Sequence, residues 1–177
     1  MRKIILNLAI SLDGYICDQE GGFDWILGHG DKKQDYKPYD FDDFLASVDT
    51  LVMGSVAYKD VVLSDLTTFA DKRVIVASHQ DLEARDHVDF IKGDIVDQVV
   101  QLKKEQGGHI WLFGGAGLTD AFIRANVVDE YVIAIIPTIL GQGRPLFKGD
   151  YEKIDLHLDR HQVSDGIVLM TYSRRQV

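Results

Sequence analysis

A single cysteine, three prolines and no long apolar run leave few specialised architectures open to this 177-residue chain. Cys17 alone closes no internal disulfide and fits no metal or redox spacing, so packing is its expected role and a reducing cytoplasm the expected compartment. No stretch approaches the roughly 18 apolar residues of a membrane span. Positive charge is also scarce: the formal net charge of −9 argues against nucleic acid or an anionic membrane as the main partner, since either needs a basic face. A small anionic ligand needs only backbone amides and one or two cations. Repeats, low-complexity tracts and linkers are missing as well, which predicts one domain over residues 1–177. A chain of this length buries about two thirds of its unfolded surface. Met1-Arg2-Lys3 ahead of Ile4 to Leu12 imitates a signal peptide. Asn7 interrupts the apolar run, however, and Ser11-Leu12-Asp13-Gly14 stands where a cleavage site would fall, so a first strand is expected.

What is present is an alternation of short apolar runs with helical patterns. Lys3 to Ile10, Thr50 to Met53, Arg73 to Ala77, Val88 to Ile91, Ile110 to Phe113 and Glu130 to Ile136 read as strands. Their continuous apolar character fits a largely parallel sheet covered on both faces. Phe41, Phe44, Leu45 and Val48 mark one face of a helix; Ile95, Val99 and Leu102 mark a second, and Leu118, Phe122 and Ala125 a third. Leu156 to Val163 and Ile167 to Ser173 flank Ser164-Asp165-Gly166 and predict an antiparallel hairpin. The expected architecture is a three-layer α/β fold, mostly parallel, with an antiparallel C-terminal edge.

The strand ends carry the functional signal. His109 to Phe113 runs into Gly114-Gly115-Ala116-Gly117-Leu118 and then a helix. Glycines at a strand-to-helix junction let an anion approach the outward-pointing amides, or else simply permit a tight turn. Met53-Gly54-Ser55 leads into a helix over Val56 to Val61 with Ser55 as its expected cap, and Ala77-Ser78 ends the next strand. Ligands of open α/β sheets collect outside the carboxyl ends of strands, so these three ends outline a ledge for an extended anionic cofactor.

In this order the motifs resemble the dihydrofolate reductase-like family, and especially the reductase domain of bacterial riboflavin biosynthesis. Ala9 to Ile16, Leu51 to Ser55, Phe113 to Leu118, Val128 to Tyr131 and Pro137 to Phe147 carry the resemblance across nearly the whole chain. It implies an eight-stranded, mostly parallel sheet with NADPH laid across the strand ends and hydride transfer to a C=N-type bond. Gly114, Gly115, Ala116, Gly117 and the adjoining Leu118 would hold pyrophosphate and nicotinamide, with a cis Gly114–Gly115 bond. Gly54, Ser55 and Ser78 would lie on the adenosine side. Dihydrofolate reductases usually place an arginine and a threonine where Ser55 and Ala57 stand, which leaves NADH as an alternative to NADPH. Lys72 and Arg73 either supply the missing charge or form a solvated strand entry. The zinc deaminase signature that accompanies the reductase in bifunctional riboflavin enzymes has no counterpart in this chain.

Reduction of C=N also needs a proton. The resemblance places a carboxylate on the first helix, where Asp40 is the nearest match; Asp40 equally occupies an N-cap position. Asn7, inside an apolar strand, either satisfies neighbouring backbone or faces a ligand pocket near Ala9. Asp13 either orders the loop that closes on nicotinamide or belongs to an ordinary Asp-Gly turn, and Trp25 either covers substrate or packs. Gly143 and Arg144 offer a phosphate clamp for a phosphoribosyl substrate or a plain connection. Asp129 and Glu130 are strand neighbours that point to opposite faces, so they share no proton. His157 and His161 would stand about 13 Å apart on a strand, too far for one metal ion, and no metal is expected. The chain is therefore expected to be a nicotinamide-dependent reductase of a pteridine-, pyrimidine- or ribosylamine-like small molecule. Alternatives are specifically 5-amino-6-(5-phosphoribosylamino)uracil reductase, or a nucleotide-binding regulatory protein without catalysis. A homodimer is the expected assembly, because relatives are commonly dimers and the hairpin leaves strand edges free.

Overall fold

The computed structural model describes residues 1–30, 39–62, 69–80 and 85–175. Eight strands form one sheet: β1 (Ile4–Ser11), β3 (Val48–Gly54), β4 (Arg73–Ala77), β5 (Val88–Ile91), β6 (His109–Gly114), β7 (Glu130–Ile136), β9 (Leu156–Ser164) and β10 (Ile167–Arg174). Their order is β5-β4-β3-β6-β1-β7-β10-β9. The six strands from β5 through β7 in that order pair in parallel, whereas β10 is antiparallel to both β7 and β9. A small second sheet pairs β2 (Tyr15–Cys17) with β8 (Arg144–Pro145). Neither short strand was expected: each is too brief for a period-2 pattern, and the partners meet only through the tertiary fold.

Parallel pairing explains the apolar runs. Leu6, Val52, Ile110 and Leu112 are fully buried on one side of the sheet beneath α3 (Ile95–Leu102) and α4 (Ala116–Arg124). Leu51, Met53, Trp111 and Val132 face the opposite cluster with Phe44 of α1 (Phe41–Ser47). Each such side chain contributes about 1.5–3 kcal/mol of burial.

Local chemistry sets the helix bounds. Asp94 caps α3 by accepting from the Asp97 amide at 3.0 Å, and Ile95, Val99 and Leu102 form its buried stripe as expected. In α4 the buried set is Leu118, Thr119, Phe122 and Ile123; Ala125 is an exposed cap instead of a core position. Val48 also departs from expectation, since α1 ends at Ser47 and Val48 begins β3, where a β-branched residue pairs with His109. The hairpin turns at Asp165 and Gly166, both with positive φ (54° and 79°), the conformation a tight two-residue connection requires.

Candidate active site

Because the parallel strands share one direction, their carboxyl ends lie along one edge, and a cleft of about 1030 Å³ opens there. Asn7, Leu8 and Ala9 of β1 line it, as do Gly54 and Ser55 after β3, Ala77 and Ser78 after β4, and Gly114 to Thr119 at the β6–α4 junction. The cofactor-side candidates Ala9, Gly54, Ser55, Ser78, Gly114, Gly115, Ala116, Gly117 and Leu118 thus share one cavity.

At the junction, the Gly114–Gly115 peptide is cis and Gly114 has φ +112°, a conformation that favours glycine. Gly115 differs: its φ is −68°, and an added β-carbon would meet nothing within 4 Å. Neither conformation nor packing calls for glycine there, whereas close approach of a ligand does. Gly115 caps α4 without any side-chain hydrogen bond, and the first backbone bond back to it is Thr119 N–H to Gly115 O at 3.0 Å. The amides of Ala116, Gly117 and Leu118 therefore have no intrahelical acceptor. Thr119 is 1% exposed, and its Oγ1 has no partner among the described residues. Together these features fit an anionic group such as a dinucleotide diphosphate.

On the β3 side Ser55 is the first residue of α2 (Ser55–Ala57), not its cap; Gly54 holds the cap position without a side-chain bond. The expected helix through Val61 is this three-residue turn followed by a π-helical turn, Tyr58–Val62. Ser78 is buried and exchanges hydrogen bonds of 3.1 Å with the backbone of Gln80. Lys72 pairs with Asp71 and Arg73 with Asp89, and neither lines the cleft. Neither reading covers both residues: Arg73 is an exposed strand entry, whereas Lys72 is buried beside it and supplies no charge to the cleft.

At the other side, Asn7 is 9% exposed and donates from Nδ2 to Tyr39 Oη at 2.8 Å, while its backbone carbonyl accepts from Trp111 Nε1 at 2.9 Å. Burial pushes the Tyr39 phenol up to about 12, so it stays protonated at neutral pH. Trp111 meets Phe44 edge-on and Phe113 at a tilt, at centroid distances of 5.2 and 4.9 Å, and Trp111 and Phe113 give this part of the cleft an aromatic wall.

Three expectations are corrected. Asp40 is exposed, lies outside the cleft lining and caps α1, accepting from the Asp42 and Asp43 amides at 3.0 and 3.1 Å. A carboxylate committed to orphan helix amides in solvent is not an acid poised on substrate. Trp25 does not line the cleft; its Nε1 donates to Gly22 O at 3.2 Å, and Phe23 and Ile26 face the cavity instead. Asp13 also stands away from the cleft lining. It receives the Ser11 hydroxyl at 2.6 Å and the Leu140 and Gly141 amides at 3.1 and 2.7 Å, tying the turn after β1 to the loop after β7. The Ser11 hydroxyl and these amides hold the Asp13 carboxyl below its ordinary value of 3.8.

Gly143 and Arg144 do line the cleft. Gly143 has φ +156°, and a β-carbon there would fall 2.2 Å from Cys17 O, so glycine is required where β8 crosses β2. Sequence reasoning missed Lys148, Asp60 and His79, which also line the cavity. Lys148 follows the Pro-Leu-Phe segment that ends the most specific motif, which was its available signal. Asp60 is the one carboxylate in the lining among the described residues. On β9, His157 Nε2 lies 3.9 Å from Asp159 Oδ1, and no group of three or more potential metal ligands occurs among the described residues. No helix among them is long and apolar enough to cross a membrane.

Comparison with known proteins agrees with this geometry. The structure aligns with dihydrofolate reductase from Enterococcus faecalis at a TM-score of 0.71 and 18% identity, covering 98% of this chain and 97% of the other. A Shewanella sp. PV-4 protein described as a candidate riboflavin biosynthesis protein aligns at a TM-score of 0.83 and 29% identity, over 99% of this chain and all of that one. The fold is therefore dihydrofolate reductase-like. The model of the RibD C-terminal domain matches residues 2–169, and uncharacterized protein YwjB of Bacillus subtilis (strain 168) is 36% identical over 151 residues, 82% of this chain and 83% of its own length. Within the fold class, this chain belongs to the RibD C-terminal domain family.

Proposed function

We propose that the chain is a nicotinamide-dependent reductase that transfers a hydride to a C=N-type bond of a pteridine-, pyrimidine- or ribosylamine-like small molecule. The observation that carries this reading is one cleft that joins an open glycine junction to a largely apolar, aromatic chamber at Asn7. The junction suits a dinucleotide diphosphate, with Gly54, Ser55 and Ser78 receiving the adenosine side. Bound there, the nicotinamide would supply the hydride; Trp111, Phe113 and Leu8 exclude water around it, and Asn7 orients substrate from a position fixed by Tyr39 and Trp111. With Asp40 engaged as a cap, the proton has another source. NADPH is the expected cofactor and NADH the alternative, because no arginine follows Gly54.

Membership of the RibD C-terminal family, together with Arg144 on the cleft rim, favours a second, narrower reading as 5-amino-6-(5-phosphoribosylamino)uracil reductase. Arg144 would then pair with the phosphate ester. We further propose a cytoplasmic homodimer, with the half-exposed hairpin as the contact region.

Titration of Trp fluorescence with NADPH and NADH tests the main reading. Binding of at least one cofactor well below millimolar is expected, and a Kd above about 1 mM for both, near −4 kcal/mol, overturns it. Gly115→Ala should weaken that binding by about tenfold or more, since its methyl would project where the ligand must approach. Arg144→Ala should raise the KM of a phosphorylated substrate while leaving that of a dephosphorylated one unchanged; equal effects on both remove the narrower reading.

A further inference from the structure

The cation nearest the glycine junction comes from a different part of the chain. Lys148 lines the cleft, and its Nζ stands 3.9 Å from the position a β-carbon on Gly117 would take. Its ammonium therefore overlooks the first turn of α4, where the amides of Ala116 to Leu118 and the unpartnered, buried Thr119 Oγ1 also lie. Among the described residues Lys148 forms no salt bridge.

Its backbone, by contrast, is tightly held by the same helix. The Lys148 amide donates to Tyr151 Oη at 2.9 Å, and Tyr151 donates to Asp120 Oδ1 at 2.7 Å. Arg124 donates from Nε to Asp120 Oδ2, from Nη1 to Asp150 O and from Nη2 to Gly149 O, each at 2.9 Å, while its guanidinium lies 5.1 Å from the Tyr151 ring centroid. Asp120 and Arg124 thus clamp the 148–151 turn onto α4. The helix that presents the amides also holds the turn that presents the ammonium.

From this arrangement we infer that Lys148 is the diphosphate-binding cation of the cleft, and that Asp120, Arg124 and Tyr151 are its positioning residues. The inference rests on the dinucleotide reading above and adds to it a residue outside the glycine motif. Gly117 has no side chain to offer charge, and a lysine acts on phosphate as a mobile point charge that needs only its stem placed. The phosphate ester of a substrate has the same chemistry, and the experiment separates it from the dinucleotide.

Isothermal titration of the full chain with NADPH, NADH, inorganic diphosphate and ribose 5-phosphate provides the test, using wild type, Lys148→Met, Lys148→Arg and Tyr151→Phe. Lys148→Met should weaken both dinucleotides by about tenfold and flatten their salt dependence, while Lys148→Arg stays within about threefold of wild type. Tyr151→Phe keeps the charge but frees the turn, and a loss of about threefold with wild-type salt dependence marks a positioning role. Inorganic diphosphate should compete with NADPH in wild type and less so in Lys148→Met. Unchanged NADPH binding in Lys148→Met overturns the assignment, as does a loss confined to ribose 5-phosphate. If wild type binds neither dinucleotide, the broader reading fails with it; if wild type binds and Lys148→Met binds equally, only Lys148 is wrong. Circular dichroism of each variant separates these outcomes from misfolding.

Discussion

The two halves of the main sheet are built under different rules. In the parallel half, four of the seven residues of β3 lie consecutively buried at Thr50 to Met53, and Val48 is buried as well. In the antiparallel half, every residue of β10 is half-buried although the strand has partners on both sides. Connectivity explains the contrast. A parallel pair needs a crossover, which lays helices over the sheet and brings their first turns to the edge where the strands end; a hairpin needs two turn residues and covers nothing. The cleft accordingly belongs to the parallel half, because only there do helix starts and strand ends converge.

Substitutions should report this asymmetry. Phe122→Ala removes a fully buried ring from the α4 face packed on the parallel strands. A loss of about 3–5 kcal/mol in chemical denaturation is expected, together with loss of the proposed nucleotide binding. Gly143→Ala forces a β-carbon onto Cys17 O at the crossing of β2 and β8, and should cost about 2–3 kcal/mol while disturbing the cleft rim near Arg144. Val168→Ala, in the half-exposed β10, should cost about 1 kcal/mol or less. If it costs as much as Phe122→Ala, the hairpin is buried in an assembly, and a concentration-dependent unfolding midpoint would identify that assembly as a homodimer.

The smallest effect concerns a tie within the parallel part, at the edge where its strands end. Asp13 joins the turn after β1 to the loop after β7, and its carboxyl is held below the ordinary 3.8. A depressed carboxylate stabilises the fold fully above its unfolded value and loses that contribution as pH falls through the lower folded value. Asp120 behaves alike, its carboxyl lowered by the Tyr151 hydroxyl and then by Arg124. Protection of the Leu140, Gly141 and Lys148 amides, taken as the exchange rate relative to the intrinsic rate at the same pH, should therefore fall only below about pH 4. A loss of protection between about pH 7 and 5 would contradict both ties.

Legibility followed the range of the interaction. The strand, glycine and helix succession from His109 to Leu118 was readable because each signal lies within a few residues of the next. So was the Asp-Gly hairpin. Val48 was misplaced because its helical spacing from Phe41, Phe44 and Leu45 is real, but pairing with His109 outweighs it. Asp40 is open between cap and acid in the sequence; its local bonds to the Asp42 and Asp43 amides, together with its place outside the cleft lining, select the cap. Trp25 is the conspicuous aromatic of its loop, yet its exposed neighbours Phe23 and Ile26 are the ones that line the cleft.

Residue order alone was enough for the strands of the main sheet, its mostly parallel character, its antiparallel edge and the glycine-rich place where an anion fits. These depend on periodicity, backbone conformation and missing side chains, all of which are local. Folding in three dimensions settled which side chains reach that place. Lys148 stands over Gly117, Asn7 meets Tyr39, and β2 crosses β8 through contacts between residues far apart in the chain, whose entropy of approach is met by the shared core beneath them. No pattern within a short window encodes such encounters.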